Sequence, residues 1–347
     1  MTSTDPVAER RPSYQADLAD GTAPFFEPRR DTCPWCCSAD LGVRLRTRDL
    51  LQRKPGAFTL DRCRGCGHVF QNPRLNRRGL EFYYRDFYDG LGAQRTGSMF
   101  RNRSGTYRRR AAVPRAFATP RTWLDVGTGH GHFCEHAREA WPETTFDGLD
   151  LSAGVEVAAD EGRIARAYRG QFVDLAPDLA GRYDLVSMFH YLEHSTEPWA
   201  ELAAARTVLR AGGYLLIEVP DPRSWLARVL GRWWLPWLQP QHLHLMPAAN
   251  LRARLAGLGF TVLLEEDAHD PVELLAAAWM ALDNAAPPED SPWLARPPGP
   301  ARRAARTAVI VAGVPLLVTA ALADRLLAPI ARRTGAANAY RLLARRG

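Results

Sequence analysis

Two groups of residues in this chain have the spacing of working chemistry. In "TWLDVGTGHGHF", residues 122–133, Gly127, Gly129 and Gly131 stand at alternate positions behind a short apolar run. Glycine after a strand lets the backbone approach a ligand closely, and the helix that follows offers unpaired N–H groups. A dinucleotide site would need its third glycine at position 132, which is His132, so the G-x-G-x-G spacing departs from that fingerprint. Asp125, just ahead of the loop, would repel a pyrophosphate and suits an α-amino group. The expected ligand therefore carries an ammonium or a sulfonium. Further on, "GLDLS" places Asp150 at the end of the next strand, where its carboxylate can accept from both hydroxyls of a ribose.

The second group is cysteine. Five of the six cysteines fall between positions 33 and 66, and "CPWC" with "CRGC" puts Cys33, Cys36, Cys63 and Cys66 in two knuckles. Two such turns, each bending its thiolates toward one point, suit tetrahedral zinc. Four cysteine ligands leave no open position, so the metal would be structural and its binding would fold a segment too small to fold alone. Cys37 is a spare thiol beside Cys36, and Cys134 reads as a small buried residue. A redox pair is the weaker alternative, because no thioredoxin-like βαβ unit surrounds either knuckle.

The elements that must hold these groups follow from periodicity. From Trp123 onward "TWLDVG", "TFDGLDLS", "GQFVDL", "YDLVSMF" and "GYLLIEVP" read as strands alternating with helical runs, the rhythm of a parallel sheet covered on both faces. "AANLRARLAGLGF" is a helix ending at Gly259, "FTVLLEED" a further strand and "NAYRLLARR" a last one. The length allows one large domain and something small. The expected organisation is a polar mobile tail at 1–30, a zinc-ribbon-like module at 31–75 and a main domain with N-terminal helices at 76–266. A partly apolar helical insertion at 267–337 and a closing strand at 338–347 complete it.

Taken in order, "LDVGTGHG", "GLDLS", "FVDL", "YDLVSMFHYLEHSTEP" and "LRAGGYLLIEVP" resemble the class I S-adenosylmethionine-dependent methyltransferases, in a bacterial form with an amino-terminal cysteine module. The resemblance implies an α/β fold, with a doubly wound, mostly parallel seven-stranded sheet, a small N-terminal zinc module and a C-terminal helical insertion. It implies S-adenosyl-L-methionine as cofactor, with Asp125, Gly127, Thr128, Gly129 and Gly131 at its methionine part. Asp150 with Leu151 would meet the ribose, Asp174 with Leu175 the adenine, and Phe189 or His190 would line the site.

Methyl transfer needs a nucleophile in line behind the methyl group, so positioning supplies most of the acceleration and a base is needed only for some acceptors. For a hydroxyl acceptor a neutral histidine is the natural base. The candidates are His190 and, in "PQHLHLMP", His242, the latter as base or acceptor-positioning residue. Trp225, Trp233, Trp234 and Trp237 form either an apolar lid that excludes water or a core packing a helix on the sheet. "FHYLEH" has H-x-x-E-H spacing, but following a strand in this motif series it is no metalloprotease signature. Some quinone-biosynthesis O-methyltransferases of the family hold a divalent metal in this segment. Here His190 stands where one acid would be expected, and Glu193 and His194 read more readily as capping or core hydrogen-bonding groups.

The formal charge is +7, yet Lys54 is the only lysine and the arginines are scattered, which describes solvated surface more than an anion-binding face. The rival function is a zinc-ribbon nucleic-acid-binding or RNA-modifying protein. Against it, no recognisable RNA module interleaves arginines with aromatics, except at "RNRSGTYRRR", and "FHYLEH" occupies the place of an N-P-P-Y motif. No nucleic acid is expected; the expected acceptor is a small molecule or a lipid-linked group with an oxygen or carbon nucleophile. No secretory signal opens the sequence, which points to the cytoplasm. The segment 307–333 is uncharged from Thr307 to Ala323, about the 17-residue lower limit for a spanning helix, and Pro315 interrupts it. It is either an interfacial or re-entrant hairpin, with Arg302, Arg303, Arg306, Arg332 and Arg333 on the anionic headgroups of the inner leaflet, or a soluble helical cap over the active site.

Overall fold

Period-two alternation in "LGVRLRT" and "FTLDRC" makes these segments strands. β1 (Leu41–Thr47) pairs antiparallel with β2 (Phe58–Cys63), and β2 with β3 (Val69–Gln71). The computed structural model describes residues 5–87, 91, 103–268, 272–333 and 337–347, with no side chains for 330–333. The chain divides into two units, the first made of residues 1–93, 222–243 and 269–338.

In this first unit the segment expected as a mobile tail is structured over its described residues, 5–30. Asp5 accepts from Val7 N at 3.0 Å and caps the helix Pro6–Asp17. Tyr14 of that helix and Phe25 join Phe58, Leu75, Phe82 and Tyr83 in an aromatic core. Single aromatic anchors, rather than an apolar stripe, hold the segment, so periodicity could not find it. Lys54 is buried, donating to the carbonyls of Phe82, Tyr83 and Arg85 at 2.9, 3.0 and 2.6 Å and closing the end of the helix Arg77–Tyr84. Residues 76–93 and the tryptophan-rich 222–243 also belong here rather than to the main domain. Trp234 and Trp237, 4.8 Å apart and edge to face, are core residues of this unit, whereas Trp225 is half-exposed. The unit's remaining long helices are Glu273–Ala285, Pro300–Ala312 and Val314–Arg333.

The second unit comprises residues 94–221, 244–268 and 339–347. Its strands are β4 (Thr122–Val126), β5 (Thr145–Asp150), β6 (Arg166–Arg169), β7 (Tyr183–Phe189), β8 (Leu209–Pro220), the short β9 (His244–Leu245), β10 (Phe260–Ala268) and β11 (Ala339–Arg346). All but β9 form one seven-stranded sheet in the order β10-β11-β8-β7-β4-β5-β6. β8, β7, β4, β5 and β6 run parallel, and β11 lies antiparallel between β8 and β10. The chain's last segment therefore returns to the sheet. "GQFVDL" differs from expectation: the strand is Arg166–Arg169 just before it, and Phe172–Leu175 is one helical turn. An edge strand carrying exposed Arg166 and Arg169 has no apolar signature to read. Trp123, Phe133, Phe146, Leu185, Leu216 and Leu343 form the core of the unit.

Candidate functional site

Connections leave β4 in opposite directions, to β5 on one side and, after β6, to β7 on the other. Such a reversal opens a crevice at the carboxyl ends of the strands. Gly127, Gly129 and Gly131 follow β4 with φ of 77°, 54° and 72°. A Cβ at Gly129 would have nothing within 4 Å, so the loop is open there. At Gly131 a Cβ would come 2.9 Å from that of Ala158, so glycine lets the helix His132–Ala140 start against its neighbour. Thr128 is buried, and the amides of Gly127 and Thr128 both donate to the Leu149 carbonyl, at 2.8 and 3.2 Å, binding the loop to β5. Asp150 takes the Gly129 N–H on one carboxylate oxygen at 2.9 Å and the Ser152 N–H on the other at 2.8 Å. Each oxygen keeps a further lone pair. Leu151 next to it is 58 % exposed, an apolar surface on the rim.

Asp125 is buried on β4, where it accepts from Ser187 Oγ at 2.5 Å, and Ser187 in turn accepts from Trp123 Nε1 at 2.8 Å. Burial pushes its carboxyl up to about 6, against the pull of hydrogen bonds from Ser187 and Thr128 and of the Arg110 charge. Asp125 has no ion-pair partner among the described residues. A cationic group brought to it would favour its charged form. Phe189 closes β7, half-buried between Phe133 at 4.6 Å and the Arg110 guanidinium at 4.7 Å. Asp174, exposed, and Leu175, half-buried, lie on the turn of helix after β6.

His190 is set in the left-handed region at φ 52°, with Nδ1 3.0 Å from Glu193 Oε1 and Nε2 3.3 Å from Glu218 Oε1. Burial alone would lower its pKa, but hydrogen bonds to the two carboxylates raise it to about 9. The ring is therefore an imidazolium at neutral pH, with no lone pair for a substrate proton or a metal. Such a ring is a poor base, and the pairing fits the core hydrogen-bonding reading of Glu193. Glu218, buried on β8, also accepts from Arg110 at 3.1 and 2.5 Å and from Arg341 at 2.8 and 2.5 Å. Burial opposes its ionisation, yet the two guanidinium groups hold its carboxyl well below the usual range. Sequence reasoning passed over this cluster, whose signal was a charge inside each of the apolar runs "LLIEVP" and "AYRLL".

His242 lies in the first unit, buried, with Nδ1 2.7 Å from the Pro236 carbonyl oxygen. A carbonyl only accepts, so Nδ1 donates its proton there.

The cysteine knuckles share one wiring. Cys33 N donates to Ser38 O and Cys37 N to Cys33 O, while Cys63 N donates to His68 O and Gly67 N to Cys63 O, each at 2.9 Å. Cys37 and Gly67 thus hold equivalent places, with φ of 61° and 74°. The four other sulfurs lie within 4.8 Å of one another, Cys33–Cys66 at 3.7 Å and Cys36–Cys63 at 3.5 Å. Zinc–sulfur bonds of about 2.3 Å in a tetrahedron give sulfur–sulfur edges of about 3.8 Å, so this donor set fits zinc. Cys37 occupies a position that favours glycine and plays no part in the cluster. Cys37→Gly is expected to stabilise the unit by about 1 kcal/mol, read as a higher denaturant midpoint. A lower midpoint together with lost metal would mean that its sulfur is a ligand.

Residues 99–265 match a family model described as a methyltransferase domain. That match covers the glycine loop, Asp150 and the central strands of the sheet. By that match, residues 99–265 form a methyltransferase domain. Among curated proteins it is similar to the ubiquinone biosynthesis O-methyltransferase of Alkalilimnicola ehrlichii, 33% identical over 128 residues, which are 35% of this chain and 51% of that one. The enzyme of the same name from Bordetella avium is 30% identical over 128 residues, 35% of this chain and 52% of that one. The chain thus spans about half the length of the curated relatives it matches. Among solved structures, a SAM-dependent methyltransferase from Archaeoglobus fulgidus is similar at a TM-score of 0.46 and 16% identity, covering 71% of this chain and 95% of that one. Within the methyltransferase domain, the strand ends bring together the glycine loop, Asp125, Asp150, Leu151 and Phe189. Tyr191 joins them unforeseen: its ring would lie 2.8 Å from a Cβ at Gly127, and its hydroxyl donates to Glu201 at 3.1 Å. An aromatic directly after β7 in "FHYLEH" was the available signal.

Proposed function

We propose that this chain transfers the methyl group of S-adenosylmethionine to an oxygen or carbon nucleophile on a small-molecule or lipid-linked acceptor. The observation that carries the reading is the pair of carboxylates at the open glycine loop. Asp150 keeps lone pairs for two ribose hydroxyls, and buried Asp125 awaits a cation that an α-amino group would supply. Bound there, the cofactor supplies an electrophilic methyl on a sulfonium. The chain's own part is to hold and orient it: Asp150 fixes the ribose, the open glycine loop and Asp125 receive the amino-acid part, and Leu151, Leu175 and Phe189 cover the apolar faces, with Asp174 beside the adenine. The relatives' printed name supports an oxygen acceptor. Cys33, Cys36, Cys63 and Cys66 hold a structural zinc in this reading. Neither the strand order nor the relatives' names support the nucleic-acid alternative.

Asp150→Ala is expected to weaken S-adenosylhomocysteine binding about 100-fold, since two hydrogen bonds to a charged group contribute about 1.5 kcal/mol or more each. Calorimetric titration measures it, with an unchanged thermal midpoint as the folding control. Equal affinity in the variant would remove the assignment of the loop; screening acceptors with labelled methyl donor then identifies the nucleophile.

A further inference from the structure

The helix Pro300–Ala312 has no buried residue. Across Gly313, the helix Val314–Arg333 buries only Ala320, Asp324 and Ala328 among its described side chains. That four-residue spacing marks one narrow face turned to the helix Glu273–Ala285, whose Leu274 and Leu275 amides donate to Asp324 at 3.0 and 2.9 Å. Gly313 completes the contact, because a Cβ there would collide with Leu282. Away from this face, Val314, Val318, Leu322 and Leu326 form a second stripe at four-residue spacing, flanked by Val311 and Leu316, and these six are 48–74 % exposed. Water is a poor environment for such a surface, and a helix without packing is marginal by itself.

Charge identifies what covers it. From Pro300 to Pro329 the only acid is Asp324, which is buried. Arg306, expected on headgroups, turns inward instead to Asp283 at 2.5 Å and the Pro287 carbonyl at 3.0 Å. Arg302, Arg303 and Arg325 are exposed and have no carboxylate partner among the described residues; the side chains of Arg332 and Arg333 lie outside the described residues. The outward surface of the helix pair is thus leucine, valine, alanine and arginine with no exposed carboxylate. A second copy of the same surface would bring arginines together with nothing to pair them. An anionic bilayer interface offers both an apolar phase and negative headgroups. No single helix among the described residues is long and apolar enough to cross a membrane, and the two helices meet with a 40° bend.

We propose that residues 300–329 are a monotopic anchor that lies in the interface of an anionic leaflet, apolar stripe inward and Arg302, Arg303 and Arg325 at the headgroups. This surface belongs to the first unit alone and stands whether or not the methyl-transfer reading does.

The test is co-sedimentation of the full chain with vesicles of phosphatidylcholine, either alone or mixed with phosphatidylglycerol in equal parts. Wild type is expected to sediment with the mixed vesicles. Leu322→Asp/Leu326→Asp, both on exposed positions, is expected to lose about tenfold or more in apparent affinity. Arg302→Gln/Arg303→Gln/Arg325→Gln should lose roughly fivefold per arginine on mixed vesicles only. Unchanged thermal midpoints show that each variant folds. Wild type left in the supernatant, or variants that sediment as wild type does, would overturn the proposal. So would a concentration-dependent dimer that the leucine double variant makes monomeric, since a second copy would then cover the stripe.

Discussion

Glu218→Ala is expected to lower the stability of the methyltransferase domain by about 3–5 kcal/mol, because removing the shared carboxylate of a buried ion cluster leaves the others charged with less to compensate them. Here those left behind are Arg110, Arg341 and His190, all within hydrogen-bond or ion-pair reach of the one carboxylate. Replacing the cluster rather than breaking it, as in Arg110→Met/Glu218→Met/Arg341→Leu, should recover much of the loss, which separates uncompensated charge from lost packing. The cluster also shapes the dependence on pH. The Glu218 carboxyl lies lower in the fold than unfolded, so its contribution is present above about 4.3 and is lost as pH falls through its depressed value. His190 is raised to about 9, so its contribution is complete below about 6.5 and disappears as pH rises through 9. Both act together between about pH 4.5 and 6.5, where the stability difference between wild type and Glu218→Ala in urea unfolding should be largest and level. In Glu218→Ala the alkaline decline should be shallower, because one of the two carboxylates that raise His190 is gone. A loss below about 1 kcal/mol would mean that the buried charges relax into water when the carboxylate is removed.

What the sequence made legible is what short spacing encodes. The glycine loop, Asp150 at the next strand end and the two cysteine pairs each lie within a dozen residues of one turn, and the geometry at those turns follows local rules. Ordered motifs carried the central strands of the sheet but not β6, and the closing strand was legible from its own apolar pattern. The features that escaped depend on partners distant in sequence. Glu218 and Arg341 are 123 residues apart, and each looks like a solvated charge until β11 is laid against β8. Tyr14 anchors the helix Pro6–Asp17 by reaching Asp86, 72 residues on, so composition alone described a tail. His190 carries the same lesson in chemical form. As a residue type it suits a base, but two carboxylates, one of them on the adjacent strand β8, raise its pKa and disfavour its neutral form. Cys37 is the converse: as a thiol it competes with Cys36, and only its backbone conformation, matched by Gly67, separates them.

The purified, reduced full chain is expected to contain about one zinc, and stripping it should unfold one end of the β1–β2 hairpin while leaving the other. The pairing runs from Leu41↔Cys63 at the sulfur end to Thr47↔Phe58 at the far end. At the sulfur end the buried hydrophobic cluster is only Cys33, Cys63 and Phe70, with Trp35, Leu41 and Cys66 packed against it. That burial cannot offset an ordering cost of about 1–2 kcal/mol per residue across the knuckles, whereas zinc coordination contributes about 10 kcal/mol or more. Phe58 at the opposite end stands in the aromatic core with Tyr14, Phe25 and Tyr83, which needs no metal. Hydrogen exchange after treatment with a chelator should therefore show amide protection lost at the Leu41 end and kept at the Thr47 end. Cys63→Ser should reproduce the pattern without chelator, since three thiolates hold zinc more weakly than four. Reduced protein without metal, or with iron in its place, would remove the zinc assignment. Uniform protection along β1 and β2 after stripping would show instead that the aromatic core alone holds the hairpin.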